Sequence, residues 1–121
     1  MPIFHLIAGP NGSGKTTLYH FLIAPRYPAL EFVNADLYER DHLRHLVNPV
    51  QRSEAARAWA DARREYLLRQ GESFVSETVF SHPSKLSLIR HAKTQGFSVA
   101  LYVLCLDEPR LLVKRVKQRV N

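Results

Sequence analysis

A single cysteine, Cys105, leaves no disulfide to be made within the chain, and its place in the apolar run from Val99 to Leu106 marks a small core residue rather than a nucleophile or ligand. No run of about 18 apolar residues could span a membrane, and no cationic stretch leads into an apolar segment with a cleavage site, so a cytoplasmic chain is expected. No internal repeat, low-complexity tract or linker divides the sequence. At 121 residues and 45% hydrophobic content it can bury one core and not two, so a single domain over residues 1–121 is expected. Acidic residues are the scarcer sign: 11 Asp and Glu face 17 Lys and Arg, a net charge of +6, with Arg110, Lys114, Arg115, Lys117 and Arg119 crowded late in the chain. That excess suits anionic ligands. Neither an aromatic platform nor a nucleic-acid fold pattern accompanies it, so a polyphosphate substrate is expected and nucleic acid is not. Metal-ligand spacing is also lacking: His42 and His45 share a helical face without a third ligand, and His5, His20, His82 and His91 carry no pattern.

Against these absences stands one octapeptide. Gly9-Pro10-Asn11-Gly12-Ser13-Gly14-Lys15-Thr16 fills GxxxxGK[ST], the phosphate-binding P-loop pattern, directly after the apolar run Ile3 to Ala8. A chance match in a chain this long has odds on the order of one in a few hundred. The glycines free the backbone to turn consecutive N–H groups onto phosphate oxygens at a helix N-terminus. Residues Gly9 to Thr17 are therefore expected to bind a nucleotide, Lys15 with a point charge for the β and γ phosphates and Thr16 with a hydroxyl for Mg²⁺.

Strand and helix signals alternate through the rest of the chain, as a parallel sheet with crossover helices requires. Helices are expected over Lys15 to Ala24, with Leu18, Phe21 and Leu22 inward, and over Tyr38 to Leu46. A longer one, capped by Ser53, runs through Ala56, Trp59, Ala62 or Arg63, Tyr66 and Leu67 to Gln70 and stops at Gly71. Strands are expected at Glu31 to Asn34 and Ser73 to Phe80, then a helix over Pro83 to Thr94 with Leu86 and Ile89 inward. Phe97 to Leu106, the most apolar strand, reads as central. Asp107 to Val120 reads as a closing basic helix. The aromatic residues Trp59, Tyr66 and Phe74 fall at core spacings.

Ligands of open parallel sheets lie beyond the carboxyl ends of the strands. That rule selects the P-loop, Asp36, Glu77 with Thr78, and Asp107. Asp36 is placed to be the base that takes a proton from an acceptor hydroxyl, with a helix N-cap as its alternative role. Glu77 interrupts an apolar strand and needs a partner, either a metal, water or substrate hydroxyl, or an arginine. Asp107 reads first as a helix cap ahead of Pro109. The arginines at 52, 57, 63, 64 and 69 form either a solvated face or, for one or two, contacts to a substrate.

Phe32-Val33-Asn34-Ala35-Asp36, then Gly71-Glu72-Ser73-Phe74-Val75-Ser76-Glu77-Thr78, then Tyr102 to Asp107 followed by Arg115, stand in this order after the P-loop. In these segments the chain resembles the zeta toxin family of P-loop small-molecule kinases, over nearly all of its length. The resemblance implies a three-layer α/β P-loop NTPase fold with a mainly parallel sheet and helices on both faces. It implies a MgATP-dependent phosphotransferase: Lys15 and Thr16 on ATP and Mg²⁺, Asp36 as general base, Glu77 and Thr78 lining the acceptor site, and Arg115, then Arg119, beginning a cationic lid. The implied acceptor is a UDP-amino sugar such as UDP-N-acetylglucosamine, and the implied protein partner an antitoxin. Relatives continue past the position of Asn121 with more lid residues, another strand and a closing helix. The resemblance therefore implies that the last strand is missing and that an unpaired sheet edge is open to dimerisation.

Two other classes stay open: a nucleotide-binding protein without catalysis, and a fragment of an ABC-type ATPase, on the strength of Leu104-Cys105-Leu106-Asp107-Glu108-Pro109. No Leu-Ser-Gly-Gly-Gln segment precedes that run. A dinucleotide dehydrogenase is disfavoured, since Lys15, Thr16 and Thr17 stand where a third glycine belongs.

Overall fold

The computed structural model of the chain describes residues 1–10, 14–78, 84–104 and 111–116. Asn11, Gly12 and Ser13 of the P-loop, Phe80, His82, Pro83, Cys105, Leu106, Asp107, Arg110, Lys117, Arg119 and Val120 lie outside them.

Strand β1 (Ile3–Ala8) carries apolar side chains on both faces and is buried along nearly its whole length. It is flanked on one side by β3 (Phe74–Thr78) and on the other by β4 (Ser98–Leu104), both parallel to it. β2 (Glu31–Val33) joins outside β3, and β5 (Leu111–Val116) pairs antiparallel with β4, giving the order β2-β3-β1-β4-β5. The mainly parallel α/β sheet implied by the sequence is present. The chain moves outward from β1 to one side and then returns to the other, so the strand order reverses at β1, where such sheets bind ligands.

Alternation divides the core in two. Phe4, Leu6, Phe74 and Val99 face α3 (Pro49–Gln70) and α4 (Ser84–Thr94), meeting Ala60, Leu67, Leu68 and Ala92, with Phe4 and Phe74 stacked at 4.7 Å. Ile7, Val75, Ala100 and Tyr102 face the other way onto Ile23 and the segment after the P-loop. α2 (Ala35–His42) packs on α3, where Tyr38 stacks on Trp59 at 3.9 Å.

Several expectations change on contact with this packing. α1 (Lys15–Leu18) passes into a π-helical turn over Tyr19–Ile23, closed by the Ala24 N–H donating to the Tyr19 carbonyl at 2.8 Å. The wider turn rotates the face, burying Ile23 and leaving Phe21 82% exposed, so Phe21 is not a core residue. The cap of α3 is Asn48, whose Oδ1 accepts from Val50 and Gln51, with Pro49 at the first position; Ser53 lies inside the helix. The buried stripe of α3 is Ala56, Ala60, Leu67 and Leu68, while Ala62 and Tyr66 face solvent. On α4, Leu88 and Ile89 meet the core and Leu86 is 62% exposed. β4 is adjacent to the centre, which β1 occupies. Residues 111–116 form a strand where a helix was expected: Leu111, Leu112, Val113 and Val116 suit a pleated surface, and pairing satisfies the outer backbone groups of β4.

Asn48→Ala should cost about 1 kcal/mol in urea unfolding, the ordinary value of an N-cap side chain, whereas Ser53→Ala should stay within about 0.5 kcal/mol.

Candidate functional site

Parallel register brings the expected site together at the carboxyl ends of β1, β2 and β3. Ile7 pairs with Glu77 and Ala8 with Thr78, and the Gly9 N–H donates to the Thr78 carbonyl at 3.2 Å, so β3 ends against the start of the P-loop. Gly14 precedes α1 with φ of +90°, a conformation open to glycine and strained for other residues. Lys15 is buried, its Nζ donating to the Gly9 carbonyl at 2.9 Å and the Pro10 carbonyl at 3.1 Å. The ammonium is thereby held against the first two residues of the loop.

Asn34 joins this loop to α2. Its side chain is buried, Oδ1 accepts from the Leu37 N–H at 3.2 Å, and Nδ2 donates to Thr16 Oγ1 at 3.5 Å. Asn34, not Asp36, is therefore the cap of α2. Asp36 stands in the first turn, exposed, without a capping duty. The N-cap signal was in the sequence; the second bond, to Thr16, depends on tertiary placement.

Glu77 is half-buried, and burial raises its carboxyl pKa above the usual value; Lys15 opposes that shift, and the negative charge of Asp36 adds to it. Lys15 and Asp36 thus both lie within electrostatic reach of Glu77. The oxygen donors among them, with the Thr16 hydroxyl, match the hard ligands that Mg²⁺ takes.

Beside β3, between α3 and α4, lies a cavity of about 300 Å³ lined by Arg64, Glu65 and Leu68 of α3, Glu77 and Thr78 of β3, and Leu88 and His91 of α4, among others. Arg64 occupies the position between Ala60 and Leu68 on the buried stripe of α3, its side chain 15% exposed. It donates to Ser76 Oγ at 3.2 Å and pairs with Asp61, while Ser76 Oγ donates to the Val33 carbonyl at 3.1 Å. Burial lowers the guanidinium pKa, and Asp61 opposes that shift. His91 and Glu65 close the far side at 2.8 Å. Of the other arginines, Arg63 pairs bidentately with Glu31 at 2.6 and 2.7 Å and Arg52 caps the Leu46 and Val47 carbonyls, while Arg57 and Arg69 face solvent. The four-residue spacing Ala56, Ala60, Arg64, Leu68 is the signal that singles out Arg64.

Arg115 lies on β5. Its backbone pairs with Ala100 of β4, level with His5, while Val103 is level with Ala8; three strand residues, about 10 Å, separate it from the P-loop end. Among the described residues, no group of three His, Cys, Asp or Glu side chains could hold a metal, and no helix is long and apolar enough to cross a membrane.

Residues 4–121 match the family model described as AAA domain. Among curated proteins none matches the chain. Solved structures share the fold at low identity. A protein assigned as a kinase from Chloroflexus aurantiacus aligns with a TM-score of 0.68 and 18% identity over 85% of this chain and 58% of that one. A structure from the PezAT chromosomal toxin-antitoxin system of Streptococcus pneumoniae gives 0.68 and 18% over 85% and 46%. A chain of the Pnkp1/Rnl/Hen1 complex gives 0.58 and 19% over 85% and 35%. The chain spans little more than half, or less, of the length of these structures. The implied likeness to zeta toxin-type P-loop kinases holds at the level of fold.

Glu77→Gln tests the burial of the carboxylate. With its folded pKa above the unfolded value near 4.5, the folded chain holds this proton more tightly. Stability tied to the neutral form is therefore complete below that value and is lost as pH rises through the folded pKa. The variant should melt above the wild type at pH 7, and the difference should close as pH falls towards 4.5; melting curves across that range check it.

Proposed function

Because the chain belongs to the AAA domain family, with Lys15, Asp36 and Glu77 converging at the strand ends, we propose that it is a zeta toxin-like phosphotransferase carrying the γ-phosphate of ATP to a hydroxyl of a small molecule, a UDP-amino sugar or a similar compound. The convergence of those three side chains carries the reading. The P-loop and Lys15 bind the β and γ phosphates. Asp36, exposed and released from capping by Asn34, accepts the proton of the acceptor hydroxyl as its oxygen bonds to the γ-phosphorus and the bond to the β–γ bridging oxygen breaks, releasing ADP. Glu77 and Thr78 orient the acceptor. The Thr16 hydroxyl would hold Mg²⁺ together with the phosphates, and the ion would supply charge neutralisation for the transferring group. Among the described site residues Lys15 supplies a cation for the phosphates.

The likeness to a toxin-antitoxin structure supports an antitoxin protein as partner.

The test is transfer of labelled γ-phosphate from MgATP to UDP-N-acetylglucosamine and a panel of small hydroxyl acceptors. Asp36→Asn should lower the rate by about 10²–10⁴, the worth of a general base, while retaining MgATP binding by calorimetry. Lys15→Ala should lose MgATP binding itself. Full transfer by Asp36→Asn would refute the assignment of the base.

A further inference from the structure

The first turn of α2 carries the candidate base, and its placement is set by the strand that leads into it. No residue of α2 is fully buried, and the Tyr38–Trp59 stack is its main contact with α3. β2 is three residues long, lies at the edge of the sheet and, among the described strands, pairs with β3. The last rung of that pairing joins Val33 to Ser76, and the next residue, Asn34, already caps the helix. Where Asp36 stands therefore depends on how firmly the end of β2 is fixed. Short edge strands open from their ends, so an added bond at the last rung matters more than one at the centre.

Side chains supply that bond. Ser76, fully buried, donates its hydroxyl proton to the Val33 carbonyl at 3.1 Å, and Arg64 Nη1 donates to Ser76 Oγ at 3.2 Å. The chemistry of the two ends fixes the direction of this chain. A guanidinium has donors and no acceptor, and a carbonyl only accepts, so the single Ser76 proton has one place to go. A glutamine at 64 could present its own carbonyl and take that proton away from Val33; arginine cannot. Asp61 holds the guanidinium from the opposite side, and the side chain is 15% exposed. A neutral group would tie α3 to the sheet without the cost of desolvating an ion. What the charge adds is a bond roughly twice as strong as a neutral one, which polarises the hydroxyl towards Val33.

We propose that Arg64 is a positioning residue for Asp36: through Ser76 Oγ and the Val33 carbonyl it fixes the end of β2, and with it the first turn of α2. The proposal rests on the phosphotransferase reading only in taking Asp36 as the base. The competing role is direct contact with an acceptor from the cavity that Arg64 borders. Direct contact would change acceptor affinity, whereas positioning changes the rate of the bound complex and the protection of amides at the start of α2.

Arg64→Met, which keeps the length of the side chain and loses its donors, and Ser76→Ala, which breaks the middle link, test it in the full chain. The Leu37 and Tyr38 amides bond to Asn34, the first to its side chain and the second to its carbonyl. Their hydrogen exchange, followed by NMR, should quicken about tenfold or more in each variant while the amides of β1 stay unchanged. The double variant should exchange no faster than the single ones, because both interrupt one chain. Arg64→Lys, still a donor, should fall between Arg64→Met and the wild type. In transfer of labelled γ-phosphate, Arg64→Met should lower kcat about tenfold or more with the KM values within about twofold, and should lower it no further in the Asp36→Asn background. Unchanged exchange at Leu37 and Tyr38, a parallel quickening at β1, a raised acceptor KM at constant kcat, or an equal fall in the Asp36→Asn background would each overturn the proposal. Full transfer by Arg64→Met would sink it and leave the kinase reading standing. A wild type that transfers to no acceptor would remove the kinase reading, and the exchange of those two amides would still decide whether Arg64 holds the start of α2.

Discussion

Parallel pairing of β1 with β3 is the constraint on which the site depends. The register fixes Glu77 opposite Ile7 and Thr78 opposite Ala8, one residue before the P-loop begins. A slip of one position would exchange the faces taken by Glu77 and by its neighbours Ser76 and Thr78, because side chains alternate faces. The register is well defended, since Phe74 and Val75 bury fully on opposite faces of the sheet. Packing far below the site thus holds a carboxylate in place at its rim.

Charge inside this framework is costly, and Glu77 and Arg64 both show that cost. Lys15 is buried and held by carbonyls alone among its described hydrogen bonds; Glu77 is displaced towards its neutral form, and Arg64 towards weaker proton retention. Structural needs could have been met by apolar or neutral side chains at lower cost. Groups perturbed by burial and lying along one continuous rim are the pattern of a functional site, here running from the P-loop through Glu77 and Thr78 to Arg64.

The parts legible in the sequence were those governed by local chemistry. A glycine-rich loop after an apolar run, Gly71 ending α3 with φ of +70°, and carboxylates just past strand ends all obey short-range rules, and their neighbours in space follow from strand order. Phe21 and Leu86 were misplaced because helical periodicity assumes an unbroken α-helix and a known face, and the π turn and the docking of α4 supply neither. Ser53 was the expected cap, and Asn48 takes that place because Pro49 fits the first helical position directly after it. Residues 111–116 could satisfy a helical stripe as well as a strand, and the open side of β4 decided between them. Arg64 was hidden among five arginines because the buried stripe of α3 becomes visible only when its partners are known.

Asn34 spans two functions with one planar amide. Its carbonyl end fixes the first turn of α2 and its amino end reaches Thr16, so neither contact can be improved by rotation without disturbing the other. The helix that carries Asp36 and the residue placed for the metal therefore share a single degree of freedom. A displacement of the Thr16 hydroxyl is thus passed through one amide to the first turn of the helix that carries the candidate base.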